Sequence, residues 1–206
     1  IESSDYFICI DEATRKRFIS SVNVDIKKII VLPNPMFVDK IKTYKHTSLD
    51  NNKNKIICAI VGTLSNLKGV VKVCQKFINS KNNAIVLYIV GQGPDYNKLI
   101  EMSNNNPGKI IVLGEIKYLN KSGFYNAIDI LIRGDETFRI GRTVYEALCH
   151  NLKVIIPGDR SNIDDDLYLR AFKENVIMYN PIYSDELTKV FDALTSKDKK
   201  HDRDTE

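Results

Sequence analysis

None of the four cysteines, Cys9, Cys58, Cys74 and Cys149, pairs with another at C-x-x-C spacing, and the three histidines have no ligand-like spacing to them. This excludes the common structural zinc sites and predicts reduced thiols with no bound metal. Long apolar runs are also missing: none approaches the ~18 residues that span a bilayer. The first residues, Ile1-Glu2-Ser3-Ser4-Asp5, have neither the basic start nor the apolar block of a secretory leader, so a cytoplasmic location is expected. With no initiating Met, the natural N-terminus is expected upstream. A strong excess of one charge is absent too. Thirty Lys and Arg against 26 Asp and Glu leave +4, enough to help hold a diphosphate or to sit near an anionic surface but short of a nucleic-acid signature. The G-K-[ST] ending of a P-loop is missing, and no strand leads into G-x-G-x-x-G with an acidic residue about twenty positions on, which argues against a dehydrogenase.

What is present is the composition of a globular protein, with 43% hydrophobic and 27% charged residues over 206 positions. That length fits one domain, or one domain and a fragment of another. The pattern favours the second. Residues 6–10 read as a strand, 11–20 as a helix with Asp11 at its N-cap, and 28–32 as a strand stopped by Pro33-Asn34-Pro35. Two strands and a helix cannot form their own core, so residues 1–38 are expected to end a preceding α/β domain. Residues 39–54, polar and rich in Asn and Lys, are expected to be a linker.

From Lys55 the pattern is regular. Short β-branched apolar runs lie at 56–61, 84–90, 109–113, 129–132, 154–156 and 176–178, with helix-length amphipathic segments between them. Strands apolar on both faces and alternating with helices predict a Rossmann-like α/β fold, a parallel sheet covered on both sides, over 55–195. Ligands of such sheets bind at the carboxyl ends of the strands. Residues 196–206 offer no apolar side chain to dock and are expected to be a disordered tail.

The loops after these strands carry the chemistry. The first, Gly62-Thr63-Leu64-Ser65-Asn66-Leu67-Lys68-Gly69, joins a glycine turn, a helix start and a mobile cation, a combination suited to phosphate; its bland alternative is a strand-to-helix connection with a solvated lysine. Gly91-Gln92-Gly93-Pro94 taken alone is a sharp turn. Gly114-Glu115-Ile116 exposes backbone that could meet a base edge, as any loop does. The fourth loop holds Arg133, Arg139, Gly141 and Arg142 before a helix with Glu146. Three arginines and a glycine at a helix mouth make an anion site. Glu146, about one turn in, is placed to accept from sugar hydroxyls, or is one more solvent-facing glutamate. Asn151 fits a left-handed helix end.

Taken in order, these pieces resemble the family 4 retaining glycosyltransferases of GT-B fold, also called glycosyltransferase group 1, nearly to Ser196. The exit of the family's N-terminal domain is matched by residues 5–35, ending in Pro33-Asn34-Pro35. Its G…KG loop is matched by Gly62 with Lys68-Gly69, its GxGP by Gly91-Gln92-Gly93-Pro94, and its v.f.G turn by Val112-Leu113-Gly114. The second half of its E-x7-E signature is matched by Gly141-Arg142-Thr143-Val144-Tyr145-Glu146-Ala147-Leu148.

The resemblance implies the donor-binding half of an enzyme that transfers a sugar from a nucleotide-diphosphate sugar to a saccharide or lipid-linked acceptor, with retention, without metal or cofactor. It points to polysaccharide or glycolipid biosynthesis and leaves open peripheral membrane association through the missing domain. Lys68, Arg142 and Glu146 become the implied catalytic residues, Lys68 on the diphosphate and Glu146 on the ribose. Donor contacts are implied for Gly62, Thr63, Ser65, Gly91, Gly93, Glu115, Ile116, Arg133, Phe138, Arg139, Ile140, Gly141 and Thr143. Two positions depart from the family: Phe138 stands where the first signature glutamate falls, and Thr63 where an arginine is frequent. Arg133, Arg139 or Arg142 is placed to supply the missing charge. A nucleotide-sugar 2-epimerase of the same architecture and a non-catalytic nucleotide-binding module are the alternatives.

Overall fold

The computed structural model describes residues 4–36, 49, 51–116, 123–135, 140–158, 161–164 and 166–200. The N-terminal piece is β1 (Phe7–Cys9), α1 (Glu12–Ser21) and β2 (Ile29–Val31), with the strands parallel and Phe7 opposite Ile29. The Asp11 carboxylate accepts from the Thr14 amide and starts α1, satisfying a donor that the helix itself cannot. One face of this small sheet is uncovered: Ile8, Ile10, Ile30 and Leu32 are exposed.

The rest builds one six-stranded parallel sheet. Its strands are β3 (Ile56–Val61), β4 (Ile85–Val90), β5 (Ile110–Gly114), β6 (Ile130–Ile132), β7 (Lys153–Pro157) and β8 (Val176–Tyr179), in the order β5-β4-β3-β6-β7-β8. The helices are α2 (Val70–Asn79), α3 (Tyr96–Asn105), α4 (Arg142–Cys149), α5 (Ser161–Asp164), α6 (Leu167–Ala171) and α7 (Glu186–Ala193). The alternation along β3 shows why the run is continuously apolar. Ile56, Cys58 and Ile60 pack on one face with Val73 and Phe77 of α2 and Phe191 of α7. Ile57, Ala59 and Val61 pack on the other with Phe124, Tyr125 and with Val144 and Leu148 of α4. Each Ile, Val, Leu or Phe among these contributes about 1.5–3 kcal/mol by leaving water, so both faces need helices. The chain builds outward from β3 through β4 to β5 and then returns to place β6 on the other side of β3. That reversal leaves a crevice at the carboxyl ends of β3 and β6.

At the end of α4, Asn151 takes φ 58°. Its amide donates to the Leu148 carbonyl and that of Leu152 to Ala147, the left-handed termination read in the sequence.

Two expectations change. Most of the linker, 39–48 and 50, lies outside the described residues, but Leu49 is buried against the β3 core and Asn52 donates to the Tyr88 hydroxyl over 3.0 Å. The polar run therefore ends anchored to the sheet. The C-terminal segment is also held, where disorder was expected. Thr195 and Asp198 form a reciprocal cap around Ser196–Asp198, and Lys153 pairs with Asp198. The Lys200 amide donates to Asp129 Oδ1 over 2.8 Å, while Oδ2 of the same buried carboxylate accepts from Ile57 in β3. Docking here is polar, so the lack of apolar side chains did not prevent it; 201–206 lie outside the described residues.

Candidate functional site

Two clefts open at the carboxyl ends of the central strands and share Val61, Gly62 and Thr63. The first, about 240 Å³, lies over β3 and β6 and is lined by Lys68, Arg133, Gly134, Gly141, Arg142 and Thr143 among others. The second, also about 240 Å³, lies over β3, β4 and β5 and adds Gly91, Gln92, Glu115 and Ile116. The first is cationic and meets a helix start, and the second is neutral apart from exposed Glu115. Side by side they suit an elongated ligand with an anionic middle.

Glycine packing builds the first cleft. A short turn, Asn66–Lys68, precedes α2 and ends at Gly69, φ 64°. A Cβ at Gly69 would stand 2.0 Å from the carbonyl oxygen of Gly134, so the loops after β3 and β6 touch backbone to backbone. This contact brings Lys68 beside the fourth loop. Lys68 Nζ donates to Asp135 Oδ2 at 3.2 Å, and Arg133 Nη2 donates to the same oxygen at 2.8 Å. The Asp135 side chain is 4% exposed, Arg133 14% and Lys68 45%. Arg133 runs across the mouth of α4, where a Cβ at Gly141 would stand 2.2 Å from Nη1. Among the described residues no side chain caps α4, and its first turn, Arg142 and Thr143, lines the cleft. Cations and helix-start amides thus converge on one volume, an arrangement fitted to phosphate oxygens.

Glu146 sits five residues into α4 but lines neither cleft. Its Oε2 accepts from the hydroxyl of buried Tyr125 at 2.8 Å and its Oε1 from Arg142 Nε at 3.0 Å. Burial, reinforced by the Glu146 charge and hydrogen bond, pushes the Tyr125 phenol far above its ordinary range. Tyr125 therefore keeps its proton and donates it.

Of the residues singled out in the sequence, Lys68, Arg133, Gly141, Arg142 and Thr143 meet in the first cleft, Gly91, Glu115 and Ile116 in the second, and Gly62 and Thr63 in both. Ser65 and Gly93 line neither. Gly93 is glycine for packing, since a Cβ would stand 2.3 Å from the Leu64 carbonyl oxygen. Ile140 is half-buried against the core beneath α4. Phe138 and Arg139 lie outside the described residues. Sequence reasoning gave no role to Asp135 or Tyr125. Asp135 meets a lysine 67 positions away, a separation that leaves no local signal. Among the described residues, no group of three or more His, Cys, Asp and Glu could hold a metal ion, and no helix is long and apolar enough to cross a membrane.

The family model of the group 1 glycosyl transferases matches residues 42–198. No curated protein matches the chain. Among solved structures, the lipopolysaccharide outer core galactosyltransferase WaaB, in its apo form, is similar at TM-score 0.67 and 15% identity, over 96% of this chain and 54% of WaaB. HepE of Anabaena, in complex with UDP and glucose, is similar at TM-score 0.69 and 14% identity, over 92% of this chain and 53% of HepE. A C-terminal domain of a group 1 family protein, LpcC of Francisella tularensis, is similar at TM-score 0.57 and 20% identity, over 73% of this chain and 82% of that domain. The chain spans about half the length of the first two. At these identities the likeness is one of fold: a parallel sheet flanked by helices, as in GT-B glycosyltransferase domains.

Proposed function

Because the chain belongs to the group 1 glycosyl transferases, we propose that it is the donor-binding half of a retaining enzyme of family 4, and that a nucleoside-diphosphate sugar lies across its two clefts. The observation that carries this reading is the convergence of Lys68, Arg133 and the first turn of α4 on one cleft at the reversal of strand order. The neighbouring cleft, with Glu115 and Ile116 at its edge, takes the base. The diphosphate lies against Lys68, Arg133 and the amides of Arg142 and Thr143. As the sugar departs, these fixed donors meet the charge that develops on the diphosphate, an effect for which each can lower the barrier by roughly 3 kcal/mol. Neither metal nor cofactor has a part in this scheme. Glu146 retains acceptor capacity for a ribose diol, since a carboxylate offers about four lone-pair sites and the structure occupies one on each oxygen.

The exposed apolar face of β1 and β2 supports residues 1–38 as the end of an N-terminal domain that supplies the acceptor site, followed by a linker and by a donor domain that takes in Leu49, Asn52 and the chain as far as Lys200. The acceptor is a saccharide or a lipid-linked saccharide, in polysaccharide or glycolipid synthesis at the cytoplasmic side. HepE binds UDP, which makes uridine diphosphate the first probe. Calorimetric titration of the 206-residue chain with uridine, guanosine and adenosine diphosphates, each beside its nucleoside, tests the reading. One diphosphate should bind tighter than its nucleoside. No preference for any diphosphate overturns it.

A further inference from the structure

We infer that Asp135 is a positioning residue that fixes Lys68 and Arg133 over the anion cleft before any donor arrives; this rests on the diphosphate reading of that cleft. The two cations come from different loops, Lys68 lying 67 residues before Asp135, and with nothing between them they would repel. A single oxygen, Asp135 Oδ2, accepts from both, at 3.2 Å from Lys68 and 2.8 Å from Arg133. The carboxylate is almost wholly buried and is not itself part of the cleft lining. It therefore acts on a ligand through the cations it holds.

The arrangement differs for the two. Arg133 is seated at both ends of its guanidinium, by Asp135 at Nη2 and by the space that Gly141 leaves beside Nη1. Lys68 is nearly half exposed, and its flexible stem would otherwise spread its charge through solvent. Restricting it beforehand removes an ordering cost that a diphosphate would have to meet on binding. A buried aspartate that only neutralised Arg133 would stabilise the fold and leave the choice between diphosphate and nucleoside untouched.

The test uses Asp135→Ala, Asp135→Asn, Lys68→Ala and the Lys68→Ala/Asp135→Ala double variant. Each is titrated with uridine or guanosine diphosphate, whichever the unmodified chain binds more tightly, and with the matching nucleoside, and melting temperatures are recorded in parallel. Asp135→Ala should weaken diphosphate binding about tenfold, an ordinary coupling for groups in one network, and leave the nucleoside unchanged. Asp135→Asn, which keeps an acceptor oxygen, should fall between and supplies the measurement if the alanine variant does not fold. In the Lys68→Ala background the same alanine change should cost much less. Equal losses for both ligands, unchanged or tighter diphosphate binding, or full additivity with Lys68→Ala would each overturn the inference. If the unmodified chain binds no nucleoside diphosphate, the diphosphate reading itself fails, and the inference with it.

Discussion

The hydroxyl of Tyr125 donates to Oε2 of Glu146 over 2.8 Å, so the acidic residue of α4 is tied down from inside the core. Tyr125 is buried on the face of the sheet that α4 covers. A hydrogen bond to a charged acceptor in such a place contributes about 1.5–3 kcal/mol. Glu146→Gln and Tyr125→Phe should therefore each lower unfolding free energy by about 1–2 kcal/mol, and the double variant should lose less than the sum. Urea denaturation of the four proteins measures this; strict additivity would mean that the two side chains are not coupled.

The same glutamate variant separates a structural carboxylate from one that also meets the donor. Glu146→Gln should weaken a ribonucleoside diphosphate more than its 2′-deoxy counterpart, because only the ribose presents a diol. Equal losses for the two ligands would confine Glu146 to its role with Tyr125 and Arg142.

Lys68→Ala should weaken nucleoside diphosphate binding by about 1.5–3 kcal/mol and affect the nucleoside far less. The loss should shrink as salt is raised, because Lys68 is 45% exposed and ions screen such a contact. Titrations at two ionic strengths check both parts, and a salt-independent loss shared by both ligands would remove Lys68 from the phosphate site.

Two glycine substitutions should part company. Gly69→Ala adds a Cβ 2.0 Å from the Gly134 carbonyl oxygen at a left-handed φ of 64°, and should destabilise the fold by about 2 kcal/mol or more. Gly141→Ala puts its nearest contacts on the end of the Arg133 side chain. It should move the guanidinium and weaken diphosphate binding with a smaller change in melting temperature. Thermal melts and titrations of both proteins decide it, and the reverse pattern would contradict the packing described.

Diphosphate binding should survive excess EDTA, and added magnesium should not raise it, because the scheme places side-chain cations and helix amides on the diphosphate where other enzymes place a metal. Loss of binding with EDTA and its return with magnesium would replace that scheme by a metal-assisted one.

Alkaline pH should weaken the fold partly through Cys74. Burial pushes this thiol from 9.0 up to about 12. Between those values the unfolded chain has released the proton and the folded chain has not, so stability is full below pH 9 and falls as pH rises towards 12, at most about 1.4 kcal/mol per unit for one group. Cys74→Ala should show a shallower decline above pH 9. Equal slopes for the two proteins would count against it.

The sequence by itself determined what depends on neighbours in the chain. The two-sided apolar runs specified six parallel strands because each strand residue faces one helical layer or the other, as β3 illustrates. Asp11 and Asn151 marked helix ends through local hydrogen bonds and backbone preference, and the order of loop motifs marked the strand ends that carry the two clefts. Only the tertiary structure decided what depends on distant loops meeting. It brought Lys68 and Arg133 to one oxygen of Asp135 through the contact of Gly69 with Gly134, and gave Glu146 a partner in Tyr125. It also pinned the polar C-terminal segment to Asp129. Pairings of this kind arise from side chains far apart in sequence and few in number, so they leave no periodicity. They exist only after the sheet has placed its loops.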